Sequence, residues 1–344
     1  MRIILASYSG LMLNKGGPTY KLIHTKKHLE KLGVDVMFHD MWDQNIEFSK
    51  DDIFHLFNAG MATYPLAKNL RESYLNYVVN PIFYSNHSAK VLQAYLKTEE
   101  TSRKFLKRSY SDYYFTKFIC DNAVRVLPNT IAEGELLNKG LAVDNKKMQI
   151  IHNGVEKRFA ESEATLFQKK YGIKDYILYV GHLGPFRKNG KKIIQALSQI
   201  DHPSVIIADV RNNKEGEWCR EALRNNKKIL FIEWLDHDSK MLESAYAGAH
   251  TFILPTRYET PGRAALEAGL AGANIVITPK GGTKEYFAEF AEYPNPLSVD
   301  SIKQSIEISL NKPKTTALRE RIMQNYIWEI IAKQTVKMYS EVIK

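Results

Sequence analysis

The sequence predicts an α/β protein built from two doubly wound domains that face a central cleft. Three observations predict it. Short apolar runs alternate with helix-length segments from residue 2 to residue 127, the pattern of strands and crossover helices in parallel sheets. The alternation stops in a polar stretch, 156–170, and restarts at Tyr176. The length of 344 residues suits two domains at about 150 residues each.

Each element follows in order. Residues 2–7 read as a strand, 14–18 as a Gly-rich turn and 18–32 as a helix; Gly33 caps that helix, and 34–38 return as a parallel strand. Further short apolar runs lie at 52–57, 81–84 and 123–127, and 148–151 lead into the turn signal Asn153-Gly154. The second domain starts its strands at 176–180, 205–208, 229–232, 251–254 and 274–278. Residues 316–344 read as helical throughout. Ligands of such sheets bind in the loops after the strands, so functional residues are sought there.

Composition removes whole classes. Hydrophobic residues are 44% and charged residues 25% of the chain, enough for sizeable cores. The 19 Gly and 12 Pro are too few for collagen-like or Pro/Gly-rich disordered chains. The two cysteines, Cys120 and Cys219, form no CxxC spacing, which excludes a disulfide framework and a cysteine zinc site. A reducing, cytoplasmic location is the default expectation. No apolar run approaches the eighteen or so residues of a spanning helix, and 3–6 are too short for a signal peptide. The net charge is +10. Residues 88–117 carry seven basic against three acidic residues, interleaved with Tyr95, Phe105, Tyr110, Tyr113, Tyr114 and Phe115. That segment is either a solvated helix face beside a core stripe or a patch for an anionic membrane surface or acceptor.

The chemistry concentrates after the strand 251–254. Thr260 and Pro261 offer an N-cap and a first-turn proline for a new helix. The amides of Gly262 and Arg263 then stand at the positive end of its dipole, where an anion or hydroxyl-rich ligand is favoured. Glu259 lies at that mouth. Glu267 sits about 9 Å further along the axis, among Ala264, Ala265, Leu266, Ala268, Leu270 and Ala271. A carboxylate on so apolar a helix needs a partner or a use. The spacing lets one carboxylate hold the sugar hydroxyls and the other the ribose hydroxyls of one nucleotide sugar.

Two Glu with seven residues between them, in the setting Pro255-Thr256, Glu259-Thr260-Pro261-Gly262 and Leu266-Glu267-Ala268, closely resemble the signature of the family-four retaining glycosyltransferases of GT-B fold. Gly16-Gly17 is similar to that family's N-terminal Gly-Gly loop, and Asn153-Gly154-Val155 to its interdomain turn. Gly181-His182-Leu183 with Arg187-Lys188-Asn189 resembles its phosphate loop, and Gly281-Gly282-Thr283-Lys284-Glu285 its Gly-Gly-x-x-Glu segment. Many members carry Arg where this chain has His182, so no phosphate contact is assigned to His182.

The resemblance implies an N-terminal acceptor domain over 1–156, a nucleotide-sugar domain over 157–323, and a last helix, 324–344, that packs back on the first. It implies that Glu267 binds the ribose and Glu259 the transferred sugar, while Arg187 and Lys188 counter the diphosphate charge that grows as the sugar departs. Thr260, Pro261, Gly262 and Arg263 complete the donor site. His87 matches a His near the reacting sugar, although a lone His after a strand also has an ordinary structural reading. Gly16 and Gly17 read as a plain tight turn or as a backbone surface approaching phosphate. Asp236-His237-Asp238 imitates a DxD metal motif, but its place before a helix favours capping by Asp236 or Asp238. Neither a catalytic metal nor a cofactor is therefore expected; the nucleotide-diphosphate sugar is a substrate.

The expected activity is metal-independent, retaining transfer of a hexose-type sugar to a hydroxyl of a glycan or lipid-linked glycan. The expected location is cytoplasmic, with peripheral attachment through 88–117 if the acceptor is lipid-linked, and no nucleic-acid partner. Rival readings are a sugar-nucleotide epimerase of the same fold and a non-enzymatic polyanion binder. A nicotinamide dehydrogenase fails on the missing GxGxxG at 7–17.

Overall fold

A computed structural model describes residues 2–13, 16–103, 105 and 110–342. The start of the predicted turn 14–18, and Lys104, Lys107 and Arg108 of the basic segment, lie outside the described residues. The chain divides into two compact units, Met1–Gly154 with Trp328–Lys344, and Val155–Ile327. These divisions fall two residues before the expected first boundary and four after the second.

Unit 1 runs β1 (Arg2–Ala6), α1 (Gly17–Glu30), β2 (Asp35–Phe38), β3 (Ile53–Phe57), α2 (Tyr64–Glu72), β4 (Tyr77–Asn80), α3 (Ala89–Arg103), α4 (Asp112–Asn122), β5 (Arg125–Val126) and α5 (Ile131–Leu141). Its parallel sheet has the order β2-β1-β3-β4-β5. β3 and β4 are buried along their whole length, as strands covered on both faces must be. The run 81–84 is not the strand expected there; the strand is Tyr77–Asn80. Pro81 has no N–H for a ladder, Ile82 turns into the left-handed region at φ 55°, and the Phe83 amide donates to Glu133 Oε1 at 2.7 Å. Residues 148–151 likewise form a single bridge, Val126 to Met148, in place of a strand.

Unit 2 runs α6 (Thr165–Tyr171), β6 (Tyr176–Leu183), α7 (Gly190–Leu197), β7 (Ser204–Val210), α8 (Lys214–Asn225), β8 (Ile229–Ile232), α9 (Lys240–Gly248), β9 (Ala249–Leu254), α10 (Arg263–Leu270), β10 (Asn274–Ile277), α11 (Thr283–Phe287), β11 (Ala291–Glu292), α12 (Val299–Leu310) and α13 (Ala317–Asn325). The sheet order is β11-β10-β9-β6-β7-β8, all parallel. One continuous core, including Tyr176, Tyr179, Phe252 and Leu266, fills both faces of the sheet.

The last segment is not one helix. α13 stops at Asn325, because the Tyr326 carbonyl accepts from the Val155 amide at 2.8 Å and Ile327 bridges to Val155. The chain then continues as α14 (Trp328–Val342), which belongs to unit 1. Its Trp328 ring stacks on His24 of α1, with centroids 5.4 Å apart. Gly154 is required beside it, since a Cβ there would lie 2.4 Å from the Trp328 ring.

Within 88–117, Phe105 and Tyr110 are exposed. Tyr113 packs on Phe83 and Tyr95, and Phe115 on Tyr64, so these two rings belong to an aromatic cluster rather than to an outward face. No helix among the described residues is long and apolar enough to cross a membrane.

Candidate functional site

In unit 2 the loop after β9 is fastened at its middle. The Glu259 amide donates to the Lys280 carbonyl at 3.1 Å, and the Gly282 amide to the Glu259 carbonyl at 3.1 Å. Gly281 has φ +97°, and a Cβ on it would lie 1.9 Å from the Glu259 carbonyl oxygen. Only glycine fits that approach. The Gly281-Gly282 pair, after β10, therefore sets where the Glu259 side chain starts.

Glu259 is buried, with 7% of its surface exposed. Its Oε1 accepts from Arg187 Nη1 at 2.7 Å and from Lys188 Nζ at 2.7 Å. Burial pushes this carboxyl up, yet the Lys188 and Arg187 charges outweigh burial and hold it below the usual range. Burial also lowers Lys188, against the pull of Glu259. The two cations follow β6 in a single short turn, 186–188. Asn189 ends that turn at φ 60°, and its Nδ2 donates to the carbonyls of Pro255 and Pro296 at 2.9 and 2.7 Å. This buried amide pins the cation turn to the end of β9; in the sequence it is merely the third member of Arg187-Lys188-Asn189.

α10 does not start as expected. Thr260 and Pro261 lie in the loop, and Gly262, at φ +71°, is the N-cap. A Cβ on Gly262 would meet Ile277 at 2.8 Å, so close packing on β10 selects glycine where a hydroxyl cap was predicted. Arg263 is the first helical residue, and its Nε lies 3.1 Å from Glu267 Oε1 one turn on.

Glu267 is 2% exposed. Tyr246 Oη donates to its Oε2 at 2.9 Å, and His237 Nε2 meets its Oε1 at 2.9 Å. Burial raises this carboxyl, but His237 and Arg263 overcome it and bring it down to about 2. Glu267 thus has the partners that an apolar helix made necessary. His237 and Tyr246 escaped the sequence reading because they stand 30 and 21 residues away, with no spacing rule to connect them.

Asp236 and Asp238 do not cap α9. Ser239 does, its hydroxyl accepting from the Leu242 amide. Among the described residues, Glu156, His237 and Asp238 bring ligand-type atoms within 4.8 Å of one another. All three converge on Arg158 Nη2, at 3.0, 3.3 and 3.2 Å, so a guanidinium occupies the middle of the group. His182 leans on Asp209 through Nδ1 at 3.1 Å and stacks on Trp234.

The remaining candidates lie in unit 1. Gly16 caps α1 with extended backbone, φ −161°, and Gly17 opens the helix with nothing within 4 Å of a Cβ placed on it. Neither needs glycine for its dihedrals, so the open space beside Gly17 is the feature to explain. His87 is exposed on the loop before α3, its ring 5.8 Å from Tyr95.

Known proteins resemble the chain at two levels. An uncharacterized glycosyltransferase of Methanocaldococcus jannaschii is 28% identical over 217 residues, 56% of this chain and 54% of that protein. A Mycobacterium tuberculosis glycogen synthase is 25% identical over 60% of this chain and 50% of its own length. The chain spans about half the length of these curated relatives. In fold, sucrose-phosphate synthase from Thermosynechococcus elongatus matches 99% of both chains with a TM-score of 0.72 at 17% identity. The Anabaena protein HepE in complex with UDP matches 99% of this chain and 100% of its own with a TM-score of 0.69 at 15% identity. The fold is that of GT-B glycosyltransferases, and residues 161–326, wholly within unit 2, match the model of the family described as "Glycosyl transferases group 1".

Proposed function

We propose that the chain is a family-four retaining glycosyltransferase that moves a hexose-type sugar from a nucleotide-diphosphate sugar to a hydroxyl of a glycan or lipid-linked glycan. The observation that carries this reading is the triad Arg187, Lys188 and Glu259, a buried carboxylate with two cations on one oxygen, in a unit whose sequence matches a glycosyltransferase family. A diphosphate competes for the same cations, and Glu259 then turns to the hydroxyls of the transferred sugar. Glu267 accepts from the ribose. Thr260, Pro261, Gly262 and Arg263 line the approach, the first-turn amides of α10 facing the donor.

In the transfer, the bond between C1 of the sugar and the phosphate oxygen breaks. The leaving phosphate takes the proton of the acceptor hydroxyl, and the new C1–O bond forms on the same face. Arg187 and Lys188 stabilise the departing charge, the role a metal otherwise fills. The convergence of Glu156, His237 and Asp238 on Arg158 supports a reaction without a metal in that cluster. Gly16 and Gly17 are assigned to donor binding, as a backbone surface for phosphate, and His87 to catalysis near the reacting sugar; all three belong to unit 1. HepE binds UDP, which supports a nucleoside diphosphate as leaving group here.

Proton NMR of the anomeric signal of the transfer product, formed in excess chelator, tests the reading. Retained anomeric configuration at an unchanged rate is expected. Inversion, or activity abolished by chelator and restored by manganese, contradicts it.

A further inference from the structure

The Glu267 carboxylate is held from three sides, and one holder has a defined hydrogen-bond direction. Tyr246 Oη donates to it at 2.9 Å, and Arg263 Nε pairs with its Oε1 as a countercharge at 3.1 Å. A carboxylate only accepts, so His237 Nε2, 2.9 Å from Oε1, carries a proton. The other edge of the ring agrees. His237 Nδ1 faces Arg158 Nη2 at 3.3 Å, with Asp238 Oδ1 at 3.3 Å and Glu156 Oε2 at 3.9 Å beside it. A neutral ring accepts there from Arg158, which can only donate, and a charged ring donates to the two carboxylates. Nε2 donates to Glu267 in both states.

Arg158 is itself fixed, donating to Glu243 Oε1 at 2.5 Å, Glu156 Oε2 at 3.0 Å and the His237 carbonyl at 3.0 Å. The hydrogen bonds from Tyr246 and His237 take two of the roughly four lone-pair directions of the carboxylate, the Arg263 countercharge lies against a third, and one is left for a ligand.

We propose that His237 is a positioning residue for Glu267, holding the carboxylate so that its remaining lone pair meets the ribose hydroxyls of the bound nucleotide, with Arg158 fixing the ring. The inference rests on the ribose role given to Glu267 above. Without the Nε2 donor, Oε1 is left to Arg263 alone, and the carboxylate loses the contact that opposes rotation toward it.

The test is calorimetric. UDP, GDP and ADP are titrated beside their 2′,3′-dideoxy counterparts, and the tightest pair is carried through wild type, Glu267→Gln, His237→Phe and His237→Gln. Wild type should lose about tenfold or more in affinity when the hydroxyls are absent, one hydrogen bond to a charged group being worth that much. Glu267→Gln should reduce this ratio to within about twofold. His237→Phe should do the same although Glu267 is intact, whereas His237→Gln, which can still donate, should keep most of it. His237→Asn, too short to reach Oε1, replaces the Phe variant if that one does not fold. A wild-type ratio in the Phe or Asn variant overturns the proposal, including the case in which both nucleotides weaken equally. If Glu267→Gln itself keeps the wild-type ratio, or wild type binds none of the three, the ribose role fails and this inference fails with it.

Discussion

Glu259 and Glu267 are both buried carboxylates in unit 2, but their countercharges differ in kind. Glu259 faces two cations, which the proposed function hands to the diphosphate; Glu267 faces a histidine, an arginine and a tyrosine of the surrounding protein. Different consequences follow from the same Glu→Gln change. Glu267→Gln should mainly raise the dissociation constant of the nucleotide, by about tenfold. Glu259→Gln should leave donor bound and lower turnover by 100-fold or more, on the order of 3 kcal/mol of transition-state stabilisation. Single-turnover kinetics with a separate binding measurement checks both.

The pH dependence of stability has a definite sign. Glu267 has its folded value depressed from 4.5 to about 2, so its contribution is complete above about 4.5 and is lost as pH falls toward 2. His237, although burial opposes it, is raised above 6.5 by Glu267, so its contribution is complete below 6.5 and is lost as pH rises through its folded value. Their pair should stabilise most between 4.5 and 6.5. The stability gap between wild type and Glu267→Gln, from urea unfolding across pH, should peak there and shrink on the acid side. A flat gap would contradict the pairing. The two glutamates were legible because seven residues separate them in one loop-helix segment. His237 and Arg158 were not, because burial and ring orientation decide their roles, and Arg158 reaches residues 79 and 85 positions away.

At the scale of elements, glycines separate two kinds of loop. Gly281→Ala would drive a Cβ to 1.9 Å from the Glu259 carbonyl, where nothing flexible can yield. It should cost about 2–4 kcal/mol of stability or displace the loop, and it should abolish donor binding. Gly17→Ala meets nothing within 4 Å and should leave the melting temperature within a degree or two. If the space beside Gly17 admits substrate phosphate, the same change should still reduce activity. Thermal melts paired with activity assays distinguish these cases, and full activity in Gly17→Ala would leave the plain-turn reading.

Elements were read well where the apolar period was unbroken, as at Ile229–Ile232, found at its exact bounds. They were misread where pairing with distant chain decided the matter. Residues 81–84 are apolar enough for a strand, yet Glu133 takes the Phe83 amide. The helix expected over 316–344 breaks because Val155 needs the Tyr326 carbonyl.

For the whole molecule, α14 returns the end of the chain to unit 1, where Tyr339 and His55 meet inside the core. His55 is buried, and burial pushes it down to about 3, so it is neutral. Its Nε2 must donate to Asn80 Oδ1 at 2.8 Å, which leaves Nδ1 to accept from Tyr339 Oη at 2.5 Å. Tyr339→Phe would strand that buried nitrogen at a cost of about 1–3 kcal/mol, several degrees in melting temperature.

The acceptor side makes a separate demand. If the acceptor is lipid-linked, the basic segment 88–117 should carry the protein to anionic vesicles at low salt and release it at high salt. With Tyr110, Tyr113 and Phe115 engaged in an aromatic cluster, Phe105, 83% exposed, is the ring of that set left to enter the headgroup boundary. Failure to sediment with anionic vesicles at low ionic strength would favour a soluble acceptor.

The central claim is that unit 2 holds a nucleotide-sugar donor through Arg187, Lys188, Glu259 and Glu267. Thermal unfolding of wild type and Lys188→Ala against a panel of UDP, GDP, dTDP and CMP sugars tests it most directly. A donor present at 100 times its dissociation constant adds about 2.7 kcal/mol, which is a shift of roughly 5–10 °C for a unit of this size. One nucleotide class should produce that shift in wild type and lose most of it in Lys188→Ala; no shift with any sugar nucleotide, or an equal shift in both proteins, would contradict the account.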